Sequence, residues 1–218
     1  MHGFARPVAP DGAIWDRAVE RSGGRDALQH AFATTAAERR ATQDYAPGLH
    51  GGPRWQRIGT DAWRLSTQDD RETGSRSARY VVSVTANIDG RAHLFCGRAA
   101  ECRRAPPSII SEDDGPLMIY EPIIAGNLAG FLAFVDGLYT AAGYHGHADI
   151  GVAVGLQGGY SETASQHGFH RNQYNAPAYP RTERVAAAAL HEPMVIARRM
   201  LRHLFEATTG RNNFDDLV

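Results

Sequence analysis

All basic residues in this 218-residue chain are arginine, 23 of them, and lysine is absent. That excludes a Walker A phosphate loop, the ATP lysine of a protein kinase, a Schiff base and a pyridoxal phosphate anchor, since each needs the lysine amine. A formal net charge of −1 gives no global pull on nucleic acid or anionic membrane, so a polyanion site has to be a local patch of arginines, whose planar guanidinium still grips anions bidentately.

Hydrophobic residues make up 43% of the chain. That is enough for a core, in one large domain or in a small helical element joined to a mixed one. Cys96 and Cys102 lack metal-type spacing and read as reduced thiols. There is no apolar leader at the N-terminus and no run of about 18 apolar residues, so the expected location is the cytoplasm.

The chain opens as a helical segment, assigned to residues 1–48. Asp11 is a candidate N-cap for a helix carrying Ile14, Ala18 and Val19, which Gly23-Gly24 terminates. A second helix starts at Arg25-Asp26 and carries Leu28, Ala31, Phe32 and Thr35, until Pro47-Gly48 and Gly51-Gly52-Pro53 break the chain. Residues 49–218 then read as an α+β domain. Trp55, Ile58, Trp63 and Leu65 mark a first short strand, and residues 68–77 form a polar loop. The strongest local signal is a β-hairpin: residues 80–85 and 92–96 are β-branched and aromatic and flank Asp89-Gly90, which tolerates the positive φ of a primed turn. Tyr80, Val82 and Val84 should share one face.

Downstream, a strand at 117–120 leads into a helix whose stripe is Leu128, Phe131, Leu132, Val135, Leu138, Tyr139 and Ala142, ending at Gly143. A strand at 150–154 follows. Residues 157–178, rich in Gly, Ser, His and Asn, read as a long exposed loop. Residues 182–186 are extended, and a last helix opened by Pro193 carries Ala197, Met200, Leu201, Leu204 and Phe205. Strands in one group and two amphipathic helices predict a two-layer α+β sandwich, a mainly antiparallel sheet with both helices on one face.

Residues 79–85 (RYVVSVT), 94–98 (LFCGR), 124–132 (IAGNLAGFL), Tyr144-His-Gly-His147, 150–154 (IGVAV) and 181–185 (RTERV) with the 193–204 helix resemble the region that follows a Schlafen-type AlbA DNA-binding domain in many GC-rich bacterial proteins. The resemblance spans roughly residues 10–210. The AlbA-type domain itself, with its lysine-containing acidic strand, is not in this chain. What the resemblance implies is a nucleic-acid-associated architecture, with no residue roles to carry over.

Two site readings compete. Arg39 and Arg40 with Arg54, Trp55 and Arg57 would supply phosphate forks and a stacking plane if the helical segment folds back on the first strand. The stronger reading of the same arginines, and of Arg103-Arg104 and Arg198, Arg199 and Arg202, is solvated faces balanced by Asp and Glu, and Trp55 or Trp63 could pack on the helices or a second subunit. Alternatively His145, His147, His167 and His170 would converge on zinc or another divalent metal, with Asp149 or Glu162 adding a carboxylate, against plain hydrogen-bonding loop histidines. Ser161 and Ser165 lack a nucleophile elbow, Gly151 to Gly159 lack the dinucleotide fingerprint, and Glu121 reads as a helix-start carboxylate. The expectation is a non-catalytic accessory or interaction domain without a cofactor, self-associating or bound to a protein partner and linked to nucleic-acid recognition. A metal-dependent hydrolase or nuclease is the alternative.

Overall fold

The computed structural model describes residues 1–28, 55–66, 81–97, 99–102, 117–155, 159–161 and 173–209. The hairpin forms as the sequence predicts: β4 (Val82–Asn87) pairs antiparallel with β5 (Ala92–Cys96), Val84 opposite Leu94. Val82, Val84, Ala86, Leu94 and Cys96 point inward and are buried, whereas Ser83 and Thr85 turn to the other face, as the period of two requires. Tyr80 lies outside the described residues. The turn is one residue longer than the primed form. The Gly90 amide donates to Asn87 O at 3.0 Å, the Asn87 amide donates to Arg91 O at 2.8 Å, and Gly90 takes the positive φ of 84°. This is the three-residue loop in which a left-handed glycine makes a bulge.

The sheet continues on both sides of this hairpin. β3 (Ala62–Ser66) pairs with β4, and β2 (Gln56–Ile58) pairs with β3, so the single strand expected here is a second hairpin turning at Gly59. On the other side β1 (His2–Pro7) lies between β5 and β8 (His147–Gly155), and β11 (Ala178–Ala186) closes the order β11-β8-β1-β5-β4-β3-β2. Every pairing in this seven-stranded sheet is antiparallel. Within residues 1–48, read as a helical segment, the first residues are instead an interior strand of the sheet, β1, ahead of the expected helix at Ile14. Pro180 is tolerated because β11 is an edge strand.

One face of the sheet is covered by helices. α2 (Glu121–Ala142) starts seven residues before Leu128, the first residue of the predicted stripe, and ends at Gly143, burying Leu128, Phe131, Leu132, Val135 and Leu138 completely. It is long and apolar enough to cross a membrane, but 78% of its most apolar window is buried inside the fold, as befits the core helix of a sheet. α3 (Pro193–Thr209) packs on α2 with Ala197, Met200, Leu201, Leu204 and Phe205, all buried as its stripe predicts. α1 (Ile14–Arg21) packs on α2 from the other side and stops at Gly23-Gly24, both at positive φ. Asp11 acts just ahead of it, its Oδ1 accepting from the Ala13 amide at 3.1 Å and its Oδ2 pairing with Arg17 at 2.7 Å. Layer contacts are completed by buried hydroxyls, Tyr139 donating to Gly90 O at 3.2 Å and Tyr179 to Met200 O at 2.6 Å. The fold is thus the α+β two-layer sandwich expected.

A second, four-stranded sheet has the order β10 (Gln173–Tyr174), β9 (Gly159–Ser161), β7 (Leu117–Ile119), β6 (Ala100–Cys102), with β7 and β9 parallel. The exposed loop expected over 157–178 therefore contains two short paired strands. Polar composition hid them, since a strand of two or three residues has no periodicity to detect.

Candidate binding face of the open sheet

Among the described residues, the helices cover only one face of the seven-stranded sheet. On the opposite face, among the described residues, His2, Phe4 and Arg6 of β1, His93 of β5, and Thr182 and Arg184 of β11 are exposed. The strand registers bring these residues together. His2 lies opposite Phe95 and Ala153, Phe4 opposite His93 and Gly151, and Arg6 opposite Asp149, which in turn faces Arg184. The result is a concavity of about 750 Å³ lined by Phe4, Arg6, Arg91, His93, Asp149 and Arg184 among others, within the size range of small-ligand sites.

Phe4 is 40% exposed. Its ring lies over Gly151: a Cβ built there would fall onto three of the ring's atoms. Glycine at 151 therefore leaves the space that the phenyl ring occupies on the sheet. Beside it Asp149 clamps two arginines, accepting from Arg6 Nη2 at 2.8 Å and from Arg184 Nε at 2.8 Å and Nη2 at 3.3 Å. The arginine side chains remain 61% and 59% exposed. Two guanidiniums sharing one carboxylate leave one net positive charge and several outward N–H donors held in place. Arg91 is anchored separately to Asp89 at 2.7 Å. Behind β11, Glu183 ties the strand to α3 through Arg199 Nε at 2.9 Å.

Hydrogen bonds from Arg184 and Arg6 hold the Asp149 carboxyl at about 2, below its usual 3.8. The folded-state value is depressed, so the clamp's contribution to stability is complete above about pH 4 and fades as pH falls toward about 2. Thermal midpoints recorded over this range should fall less steeply for the Arg6→Gln, Arg184→Gln double variant than for the native chain. Equal slopes would contradict the clamp. At the other end of the face, burial lowers the pKa of both His2 and His93. The terminal amine adds to the shift at His2, and the neighbouring His2 adds to it at His93.

Arg39, Arg40, Arg54, His167, His170, Glu162, Ser165 and Arg103-Arg104 lie outside the described residues. Trp55 is half-buried. It packs on Trp15 and Phe134 with centroids 5.1 and 5.9 Å away, and its Nε1 donates to Arg25 O at 3.2 Å. Trp63 is capped by the Arg25 guanidinium at 3.6 Å, with Arg57 at 6.0 Å. Arg57 is exposed on the edge strand β2 and donates to Thr60 O at 2.8 Å. Arg199 and Arg202 are matched by Glu183 and Glu206, a balanced solvated face. His145 and His147 are exposed around the start of β8, and among the described residues no group of three metal-ligating side chains forms. Asp149 is engaged by arginines. Glu121 is the first residue of α2 and fully buried.

Sequence reasoning missed Phe4, Arg6, His2, His93 and Arg184. The only signal was the alternation in residues 2–7 of large polar or aromatic side chains with Gly3, Ala5 and Pro7, which do not register as a hydrophobic face. Comparison with protein-family models, with characterised proteins and with solved structures finds no match for this chain.

Proposed function

We propose that this chain is an interaction domain that binds single-stranded nucleic acid on the open face of its seven-stranded sheet. The observation that carries the reading is the 40% exposed Phe4 ring over Gly151 beside the Arg6–Asp149–Arg184 clamp. An aromatic plane takes a base regardless of its identity, each such stack being worth about 1–3 kcal/mol, and fixed guanidinium forks take the adjoining phosphates. Open strands offer such planes to splayed bases, whereas a duplex hides its base faces. The resemblance to a region associated with AlbA-type DNA-binding domains points the same way.

With a net charge of −1, the affinity should be modest, on the order of micromolar, and steeply salt-dependent because each neutralised phosphate releases counterions. The test is fluorescence anisotropy of a labelled oligonucleotide at low and at physiological salt. Phe4→Ala and the Arg6→Gln, Arg184→Gln double variant should each weaken binding at least tenfold. Glutamine at Arg39, Arg40, Arg54 and Arg57 should leave it nearly unchanged. The opposite pattern would place binding on that second cluster and overturn the sheet-face reading.

A further inference from the structure

His2 and His93 sit on adjacent antiparallel strands at the end of the open face, diagonal to one another across the β1–β5 register. Their ring nitrogens, Nδ1 of His2 and Nε2 of His93, approach to 3.1 Å, with the ring centroids 5.3 Å apart. The His2 ring is also backed by Phe95, centroid to centroid 5.2 Å. Among the described residues neither imidazole is bonded to a carboxylate, so the near nitrogens of the pair face only each other.

We infer that His2 and His93 form a two-imidazole site for a divalent d-block cation such as Zn²⁺, with the remaining coordination positions open to water. The geometry carries this. Two nitrogens bound at 2.0–2.1 Å with a tetrahedral angle stand about 3.3–3.4 Å apart, and at a right angle about 2.9 Å apart. The observed 3.1 Å lies between these, so the two nitrogens already stand at ligand spacing and the rings have only to turn their lone pairs toward a common point. Two planar rings already held on neighbouring strands lose little freedom on binding, in contrast to histidines on separate loops.

The protons balance without a co-reactant. In the metal-free pair one near nitrogen carries the proton and donates it to the lone pair of the other. On binding, that proton transfers through solvent to the far nitrogen of the same ring, Nε2 of His2 or Nδ1 of His93. Both near lone pairs then point at the cation, both rings stay neutral and the cation gains two nitrogen ligands. No third histidine, cysteine or carboxylate joins them among the described residues, so at least two water positions remain outward on the exposed face. A cation there has the open coordination that accepts an anionic oxygen.

This site is independent of the nucleic-acid reading, and its test contains no oligonucleotide. Isothermal titration of the full chain with Zn²⁺ and, separately, with Cu²⁺ should show one site, tighter for Cu²⁺ in keeping with the general order of divalent affinities. Substitution of His93 by Gln, and separately of His2 by Gln, should weaken that site at least tenfold, whereas His145→Gln with His147→Gln should leave it intact. Both rings of the pair stand on the solvent side, and a circular dichroism melt of each variant verifies folding. In histidine NMR, the His2 and His93 ring signals should broaden first on addition of substoichiometric Cu²⁺. Binding that survives both single substitutions, that is lost with His145 and His147, or that is absent at millimolar Zn²⁺ would overturn the proposal.

Discussion

Alanine at Leu132 or at Leu201 should lower the stability of the fold by about 2–5 kcal/mol at each position, the range for large-to-small changes in a close-packed core. Both leucines are completely buried, Leu132 in α2 and Leu201 in α3. Each truncation loses the transfer free energy of the deleted carbons. It also leaves a cavity that surrounding helix and sheet backbone cannot close. For a chain of this size the loss corresponds to a drop of roughly 4–20 °C in the thermal midpoint. Near-neutral midpoints at both positions would show that the helices do not pack as a layer on the sheet.

Gly90→Ala should be nearly as costly despite adding a single methyl group. Gly90 adopts a φ of 84°, where an L side chain costs about 1–2 kcal/mol. A Cβ there would also stand 2.7 Å from Ile14 Cγ2 and 2.9 Å from Ile14 Cδ1, an overpacking that adds about 1–3 kcal/mol. The turn cannot back away, because Gly90 O accepts the Tyr139 hydroxyl and the Trp15 amide bonds to Ile88 O at 3.0 Å. These contacts seat the hairpin tip against α1 and α2. The two causes separate in a double-mutant cycle with Ile14→Ala, which relieves the clash and leaves the backbone cost. Equilibrium denaturation should therefore give a double variant more stable than the sum of the single losses predicts. Strict additivity would mean that Ile14 does not press on the turn.

How much of this was legible in the sequence depended on whether a segment's own pattern matched its final environment. The hairpin at 82–96 and helices α2 and α3 carry strong periodicity and proper ends, and the structure places them nearly where the residues indicate. β1 was invisible because its inward positions are Gly3, Ala5 and Pro7, small residues facing a crowded layer. A Cβ at Gly3 would already stand 3.3 Å from Leu94 Cβ and 3.4 Å from Phe131 Cδ1. A strand that must stay thin to fit under a helix forgoes the hydrophobic alternation by which strands are recognised.

The residues of the open face were hidden for a different reason. Arg6 and Asp149 are 143 positions apart, and their meeting is set by the long-range register of β1 on β8. Asp149 did stand out from the sequence as a carboxylate, but its assignment to a metal depended on neighbours in the chain, and its partners come from other strands. Trp55 was conspicuous for the same chemical reason that half-buries it: a large aromatic ring near an apolar helix packs there, with its Nε1 satisfied by a carbonyl.

Amide shift mapping during titration with a short single-stranded oligonucleotide tests the open-face reading most directly. The account predicts a contiguous set of perturbations on β1, β5, β8 and β11, centred on Phe4, Arg6, Gly151 and Arg184, that recedes as salt is raised and is absent in Phe4→Ala. Perturbations confined to the helical layer or to the edge around Arg57 would contradict it. So would perturbations of the sheet face that follow protein concentration instead of oligonucleotide, since these would place a second copy of the chain on that surface.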